Sequence, residues 1–233
     1  MSKISQKDFL LFNKSCKDMS ELFDSSIDLI YFSPPYNLGE KYNKYKDKRT
    51  FSKYVKLLES VFLECERVLK SNGKVIFEVA ETVFVDGKFV ALGALCQNIC
   101  LKNKLYLETR HINYALTKNY VEQQDHGWNK DFYTRKNAHS NCQQILVFSK
   151  KKIKFKNGKI NYFNYNFTKD HSCPFPKEEI KFVLDNYFKK GFNVLDPFMG
   201  TAMLGKEVME RKGKFIGYEI DKTIFNCAAK NLR

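Results

Sequence analysis

The chain has only five prolines and one tryptophan in 233 residues, and 26 acidic side chains against 40 lysines and arginines. Proline fixes φ and removes a backbone donor, so where a chain keeps it marks a turn whose shape matters. All five prolines fall in three clusters: Ser33-Pro34-Pro35-Tyr36, Cys173-Pro174-Phe175-Pro176 and Asp196-Pro197-Phe198-Met199-Gly200. The shortage of acid leaves a formal charge of +14, which favours a polyanionic partner over an acidic small molecule.

Other absences narrow the class further. The seven cysteines are odd in number and form no Cys-x-x-Cys pair, which argues against a disulfide framework and a zinc site and for a reduced, cytoplasmic protein. His111, His126 and His139 have no evident nucleophile or metal partner, so no metal is expected and they read as structural or solvent-facing. No apolar run approaches a membrane span, and Met1 to Phe9 lacks the apolar core of a signal peptide, so a soluble chain without membrane attachment is expected. There is no internal repeat or low-complexity segment, and 43% hydrophobic with 15% aromatic residues excludes disorder. The length suits one α/β domain over residues 1–233.

The apolar pattern alternates between strand and helix. Phe9 to Phe12 and Ile27 to Phe32 read as buried strands, the second ending at the Ser33 turn. Residues 37 to 50 read as a basic surface loop, with Lys41, Lys44, Lys46, Lys48 and Arg49 around Tyr42 and Tyr45. Val55, Leu58, Phe62, Cys65 and Leu69 predict a helix over Phe51 to Leu69, with Ser52 as N-cap and Asn72-Gly73 closing it. A strand at Val75 to Val79, a helix at Phe89 to Leu101 and strands at Leu105 to Tyr114 and Gln144 to Phe148 follow. Residues 116 to 143 are long and polar, and Asn157-Gly158 between Lys150–Lys156 and Lys159–Tyr165 predicts a hairpin with a basic face. Helix Lys177 to Lys190, strand Asn193 to Leu195, helix Leu204 to Arg211, strand Lys214 to Tyr218 and a last helix after Asp221 make a βαβα unit.

Strand, glycine turn, helix, second strand and then an acid is the plan by which a parallel sheet binds a nucleoside-containing cofactor. Gly200 lets backbone approach the ligand, and Glu219 at the next strand's end suits ribose hydroxyls. The three-glycine phosphate fingerprint is missing, and the anion Asp196 would repel a pyrophosphate. A cationic, phosphate-free ligand such as S-adenosylmethionine matches better.

Ser33-Pro34-Pro35-Tyr36 suits a different ligand. An exocyclic amine on a base is a poor nucleophile while its lone pair is conjugated with the ring. A site that activates it accepts hydrogen bonds from both N–H groups and pins the ring flat. The Ser33 hydroxyl and Pro34 carbonyl can accept, Tyr36 can stack, and Pro34 and Pro35 stiffen the turn.

Together the two motifs resemble those of the DNA amino-methyltransferases, which carry (Asp/Asn/Ser)-Pro-Pro-(Tyr/Phe/Trp) and Asp-Pro-Phe-x-Gly-x-Gly. The serine-type motif comes first and the cofactor motif last, which resembles the circularly permuted β group, with a Rossmann-like α/β fold and a mixed, mainly parallel sheet. Asp28 to Leu38, Gln144 to Phe148, His171 to Pro176 and Asp196 to Gly200 resemble its successive motifs in order. The resemblance implies that Asp196, Phe198, Gly200, Thr201 and Glu219 line the S-adenosylmethionine pocket with His171, Pro174 and Phe175, while Ser33, Pro34, Pro35 and Tyr36 hold the target base. Serine at the first position accompanies cytosine N4 methylation in the family, with adenine N6 the alternative. The chain departs from the pattern at Ala202, where the second glycine is usual, and at Ser15, where an acid usually precedes Cys16. These departures keep open a catalytically silent DNA-binding subunit, and RNA is a third candidate substrate. Methylating a duplex base requires it to flip out. Phosphate contacts are expected from Lys41, Lys44, Lys46, Lys48, Arg49, Lys152, Lys154 and Lys156, and base reading from insertions at about 116–143 and 151–170. The implied partners are double-stranded DNA, a cognate restriction endonuclease system and, as in many permuted members, a second copy of the chain.

Overall fold

The computed structural model describes residues 2–37, 41–42, 45–46, 48–114, 142–152, 162–164 and 177–233. Among these, the order is β1 (Ser2–Ser5), β2 (Phe9–Asn13), β3 (Ile27–Phe32), β4 (Lys41–Tyr42), β5 (Tyr45–Lys46), α1 (Phe51–Val68), β6 (Leu69–Ala80), β7 (Thr82–Val85), β8 (Lys88–Ala91) and α2 (Leu92–Lys102). Then come β9 (Tyr106–Tyr114), β10 (Cys142–Ser149), β11 (Tyr162–Asn164), α3 (Lys177–Tyr187), β12 (Asn193–Asp196), α4 (Met203–Glu210), β13 (Lys214–Tyr218) and α5 (Lys222–Asn231).

Nine strands form one sheet in the order β1-β2-β13-β12-β3-β6-β10-β9-β11. Strands β2, β13, β12, β3 and β6 run parallel, whereas β10 is antiparallel to both β6 and β9. The expected mixed, mainly parallel α/β sheet is what the chain forms. Both faces are covered, as parallel sheets require. Ile30 and Phe32 of β3 pack with α1 and α2, while Leu29 and Tyr31 pack with α3, α4 and α5. Burial of both faces, alternating with a period of two, explains why β3 reads as a continuous apolar run from Leu29 to Phe32.

Three local expectations are corrected. Helix α1 stops at Val68, and Leu69 begins the 12-residue strand β6, so Asn72-Gly73 lies in a strand and closes no helix. A Cβ at Gly73 would meet the Asp28 carbonyl at 2.9 Å, so glycine there permits close approach of β3. Ser52 is not the N-cap of α1: Thr50 holds that position without a side-chain bond, and Asp86 Oδ2 accepts from Phe51 N–H at 3.4 Å. Phe89 to Ala91 is not helical but belongs to a hairpin with β7, turning at Asp86 (φ +53°) and Gly87 (φ +77°). The Asn157-Gly158 hairpin lies outside the described residues, although Tyr162–Asn164 pairs parallel with Ile112–Tyr114 at the sheet edge. No helix among the described residues is long and apolar enough to cross a membrane.

Candidate active site

Strands β3 and β12 are hydrogen-bonded neighbours, with Val194 opposite Leu29 and Leu195 opposite Ile30. Their carboxyl ends therefore deliver Ser33 and Asp196 to the same edge of the sheet, where parallel α/β folds bind ligands. The Phe32 ring lies 5.7 Å from that of Phe198, so the two turns touch through their aromatic residues.

In the first turn, Ser33 Oγ lies 3.3 Å from the Glu78 carbonyl oxygen and 3.4 Å from the Tyr36 hydroxyl. Both contacts are long, so the hydroxyl is lightly held and can exchange them for a ligand's. Tyr54, fully buried on α1, donates its hydroxyl to the Pro35 carbonyl at 2.9 Å. Burial, reinforced by the Glu78 carboxyl, drives the Tyr36 hydroxyl well above its ordinary range and keeps it protonated.

Behind this turn sits a carboxyl pair that sequence reasoning missed. Glu78 on β6 and Glu179 on α3 are both buried, with their carboxyls close enough to interact. Burial raises the Glu78 pKa, which favours a proton there. The only sequence signal was a lone acid inside the apolar run of β6.

The second turn is built from backbone and carboxylates. Asp196 Oδ1 accepts from Phe198 N–H at 2.9 Å, and Met199 N–H donates to the Tyr218 carbonyl at 3.0 Å. Glu219 Oε1 accepts from Asp221 N–H at 2.7 Å. Gly200 (φ +50°) and Ala202 (φ +62°) are left-handed, and a Cβ at Gly200 would meet nothing within 4 Å. Asp196 is pushed up to about 7 by burial and then by the charge of Glu219. Glu219 is pushed up to about 7, again mainly by burial. Thr201 is exposed at the start of α4, and buried Cys16 lies near enough to Asp196 and Glu219 to feel both charges.

The structure thus brings together Ser33, Pro34, Pro35, Tyr36, Asp196, Phe198, Gly200, Thr201 and Glu219. His171, Pro174, Phe175, Lys44, Lys154 and Lys156 lie outside the described residues, and Lys41 and Lys46 are described only as backbone. Lys48 is exposed and Arg49 half-buried beside the first turn. Lys152 is elsewhere: its amine sits 5.5 Å above the Tyr106 ring, past the end of β10. Gln143 pairs with Ala80 at the site edge while Phe148 pairs with Val75, which puts Lys152 roughly 20 Å or more along the sheet from the turns. Tyr114 and Cys142, which bracket residues 115–141, pair at the site edge. His111 is structural, its Nε2 2.9 Å from the Tyr187 hydroxyl.

The chain and its fold are similar to those of known DNA methyltransferases. The chain is 24% identical over 256 residues to the type II methyltransferase M.HpaI of Haemophilus parainfluenzae, covering 96% of this chain and 73% of that protein. The fold is similar to the PvuII DNA methyltransferase (cytosine-N4-specific), with a TM-score of 0.72, 14% identity, and 97% and 86% of the two chains covered. It is also similar to TTHA0409, a DNA modification methylase of Thermus thermophilus complexed with S-adenosyl-L-methionine, with a TM-score of 0.70, 18% identity, and 95% and 92% covered. The model of the N6/N4 DNA methylase family matches residues 27–230, and this chain belongs to that family.

Proposed function

We propose that this DNA methylase transfers a methyl group from S-adenosylmethionine to the N4 amine of a cytosine flipped out of double-stranded DNA, as the methyltransferase of a restriction-modification system. The reading takes the chain as a circularly permuted member, base motif first and cofactor motif last. The observation that carries it is the placement of the Ser33 and Asp196 turns on adjacent parallel strands, in contact through Phe32 and Phe198.

The residues present suit the cofactor. Burial raises Asp196 and Glu219 to about 7, so both carboxyls favour a nearby cation, and open space at Gly200 admits a ligand against the backbone. Asp196, Phe198, Gly200, Thr201 and Glu219 would hold it, with Glu219 on the ribose hydroxyls. When bound, it supplies an electrophilic methyl group on a cationic sulfur.

The chain's own residues prepare the amine. Ser33 Oγ and the Pro34 carbonyl accept its two N–H groups, drawing the nitrogen lone pair out of conjugation, while Tyr36 stacks on the ring. Stacking offsets part of the few kcal/mol that flipping costs, roughly 1–3 kcal/mol per base. Exposed Lys48 and the lysines near it provide salt-sensitive phosphate contacts. The stretch at about 116–143 would share base reading, since Tyr114 and Cys142 pair at the site edge.

Serine at position 33 favours cytosine by the family's pattern, in which serine accompanies N4 methylation; a hydroxyl that both donates and accepts can serve the edge of either ring. Adenine presents a similar edge, and the family spans N6 and N4 chemistry. Incubation with duplex DNA and methyl-labelled cofactor, followed by nucleoside mass spectrometry, is expected to place label in N4-methylcytosine. Label confined to N6-methyladenine would overturn the choice of base, and none in any nucleoside would overturn the activity.

A further inference from the structure

The Ser33 turn continues into Asn37, whose backbone is left-handed (φ +58°) and whose side chain is buried. Its Oδ1 accepts from Arg49 N–H at 2.7 Å, and its Nδ2 donates to the Arg49 carbonyl at 2.8 Å. One side-chain amide thereby satisfies both backbone groups of a residue 12 positions away, as a neighbouring strand would. Beyond Arg49, the Thr50 carbonyl accepts from Tyr54 N–H at 3.0 Å as α1 begins. Tyr54 then returns its hydroxyl to the Pro35 carbonyl at 2.9 Å. The contacts close a ring through Pro35, Tyr36, Asn37, Arg49, Thr50 and Tyr54.

We propose that Asn37 and Tyr54 are positioning residues that hold Ser33 and Tyr36 in the arrangement that receives the flipped base. The inference rests on the reading of Ser33 to Tyr36 as the base site. The Ser33 hydroxyl's bonds, to the Glu78 carbonyl of β6 and to the Tyr36 hydroxyl, are too long to hold the turn, at 3.3 and 3.4 Å, whereas the ring's bonds are 2.7 to 3.0 Å. Proline fixes φ at two positions but does not anchor the turn to the body of the protein. The ring supplies that anchor from α1 on one side and from the Arg49 backbone on the other. Asparagine suits position 37 because it tolerates the left-handed region and carries both a donor and an acceptor.

The substitutions separate backbone from clasp. Asn37→Gly keeps the left-handed conformation accessible and removes the amide, Asn37→Asp keeps the acceptor alone, and Tyr54→Phe removes one hydroxyl. The single-turnover methylation rate is expected to fall about 30-fold in Asn37→Gly and about 10-fold in Tyr54→Phe, with Asn37→Asp closer to wild type than Asn37→Gly. Because both residues act on one ring, the double variant should lose less than the product of the single losses. Duplex DNA carrying 2-aminopurine at the target position should show a smaller fluorescence rise with each variant, while calorimetric affinity for S-adenosylmethionine stays within about twofold of wild type. A wild-type rate and fluorescence rise in Asn37→Gly would overturn the proposal, as would strictly multiplicative losses or a parallel loss of cofactor affinity. Wild-type protein that methylates no base would instead overturn the underlying reading of the site.

Discussion

The turns after β3 and β12 occupy the same edge of one sheet, on neighbouring strands, yet they are held in opposite ways. The Ser33 turn is stiffened by two prolines and held by neutral groups: the hydroxyl of Tyr54 and the amide of Asn37. Even behind it, burial raises the Glu78 carboxyl, beside Glu179, toward its neutral form. The Asp196 loop has one proline and two left-handed residues, and two carboxyls accept backbone N–H groups beside it, Asp196 buried and Glu219 half-buried. The first surrounding suits an uncharged aromatic ring, and the second a cation with hydroxyls. Neighbouring strands of one sheet can therefore present chemically opposite sites, because each strand end takes its character from the few residues that follow it.

The largest effects should come from disabling one turn at a time. Asp196→Ala is expected to weaken S-adenosylmethionine binding by more than about 100-fold while duplex DNA affinity stays within about twofold. Ser33→Ala should do the reverse, lowering kcat about 100-fold with cofactor affinity nearly unchanged. Calorimetry and steady-state kinetics on both variants check this, and losses that failed to separate would break the contrast.

Next in size is a packing effect specific to the β12 side. Gly205 of α4 faces Phe215, and a Cβ there would approach the ring carbons to 2.6 Å, so Gly205→Ala should lower unfolding stability by about 2 kcal/mol in denaturant titration.

Proton linkage sharpens the comparison at a smaller scale. Asp196 and Glu219 are raised to about 7 in the folded chain, so a proton leaves with difficulty and their charged forms cost stability as pH rises from the ordinary carboxyl range through about 7. A cationic ligand reverses that cost. Cofactor affinity should therefore be level above pH 7 and weaken below it by about tenfold per pH unit for one linked carboxyl. Calorimetry in buffers of different ionisation enthalpy should detect proton release on binding near pH 6.

The smallest effect concerns Ala202, which is fully buried and left-handed (φ +62°) at the N-cap of α4. Relief of roughly 1–2 kcal/mol of strain in Ala202→Gly exceeds the roughly 0.8 kcal/mol lost with a buried methyl, so a gain of up to about 1 kcal/mol is expected in thermal unfolding. The result also tests why glycine is usual there: an unchanged or lower midpoint would argue against a conformational reason.

Much of the sheet was legible because buried parallel strands leave apolar runs, as at Leu29 to Phe32 and Phe215 to Tyr218. The α5 cap was legible too, since Asp221 accepts from Thr223 and Ile224 N–H groups within its own segment. The hairpin at Thr82–Ala91 escaped although Asp86-Gly87 is a strong turn signal, because the apolar run from Phe89 onward also fits a helix. Gly73 read as a helix stop because the Asp28 carbonyl it accommodates belongs to β3, on the far side of α1 in chain order, and reaches β6 only through strand pairing.

By itself the sequence determined the two turns, their order and the alternation of strand and helix, since proline, glycine and apolar period act within a few residues. Only the tertiary structure decided that the turns touch, that Glu78 meets Glu179, and that Asn37 clasps Arg49 while Tyr54 reaches back to Pro35. It also carried Lys152 away from both turns. Contacts between segments depend on strand order and on register, which shifts position by about 3.3 Å per residue, and neither is written in the local pattern.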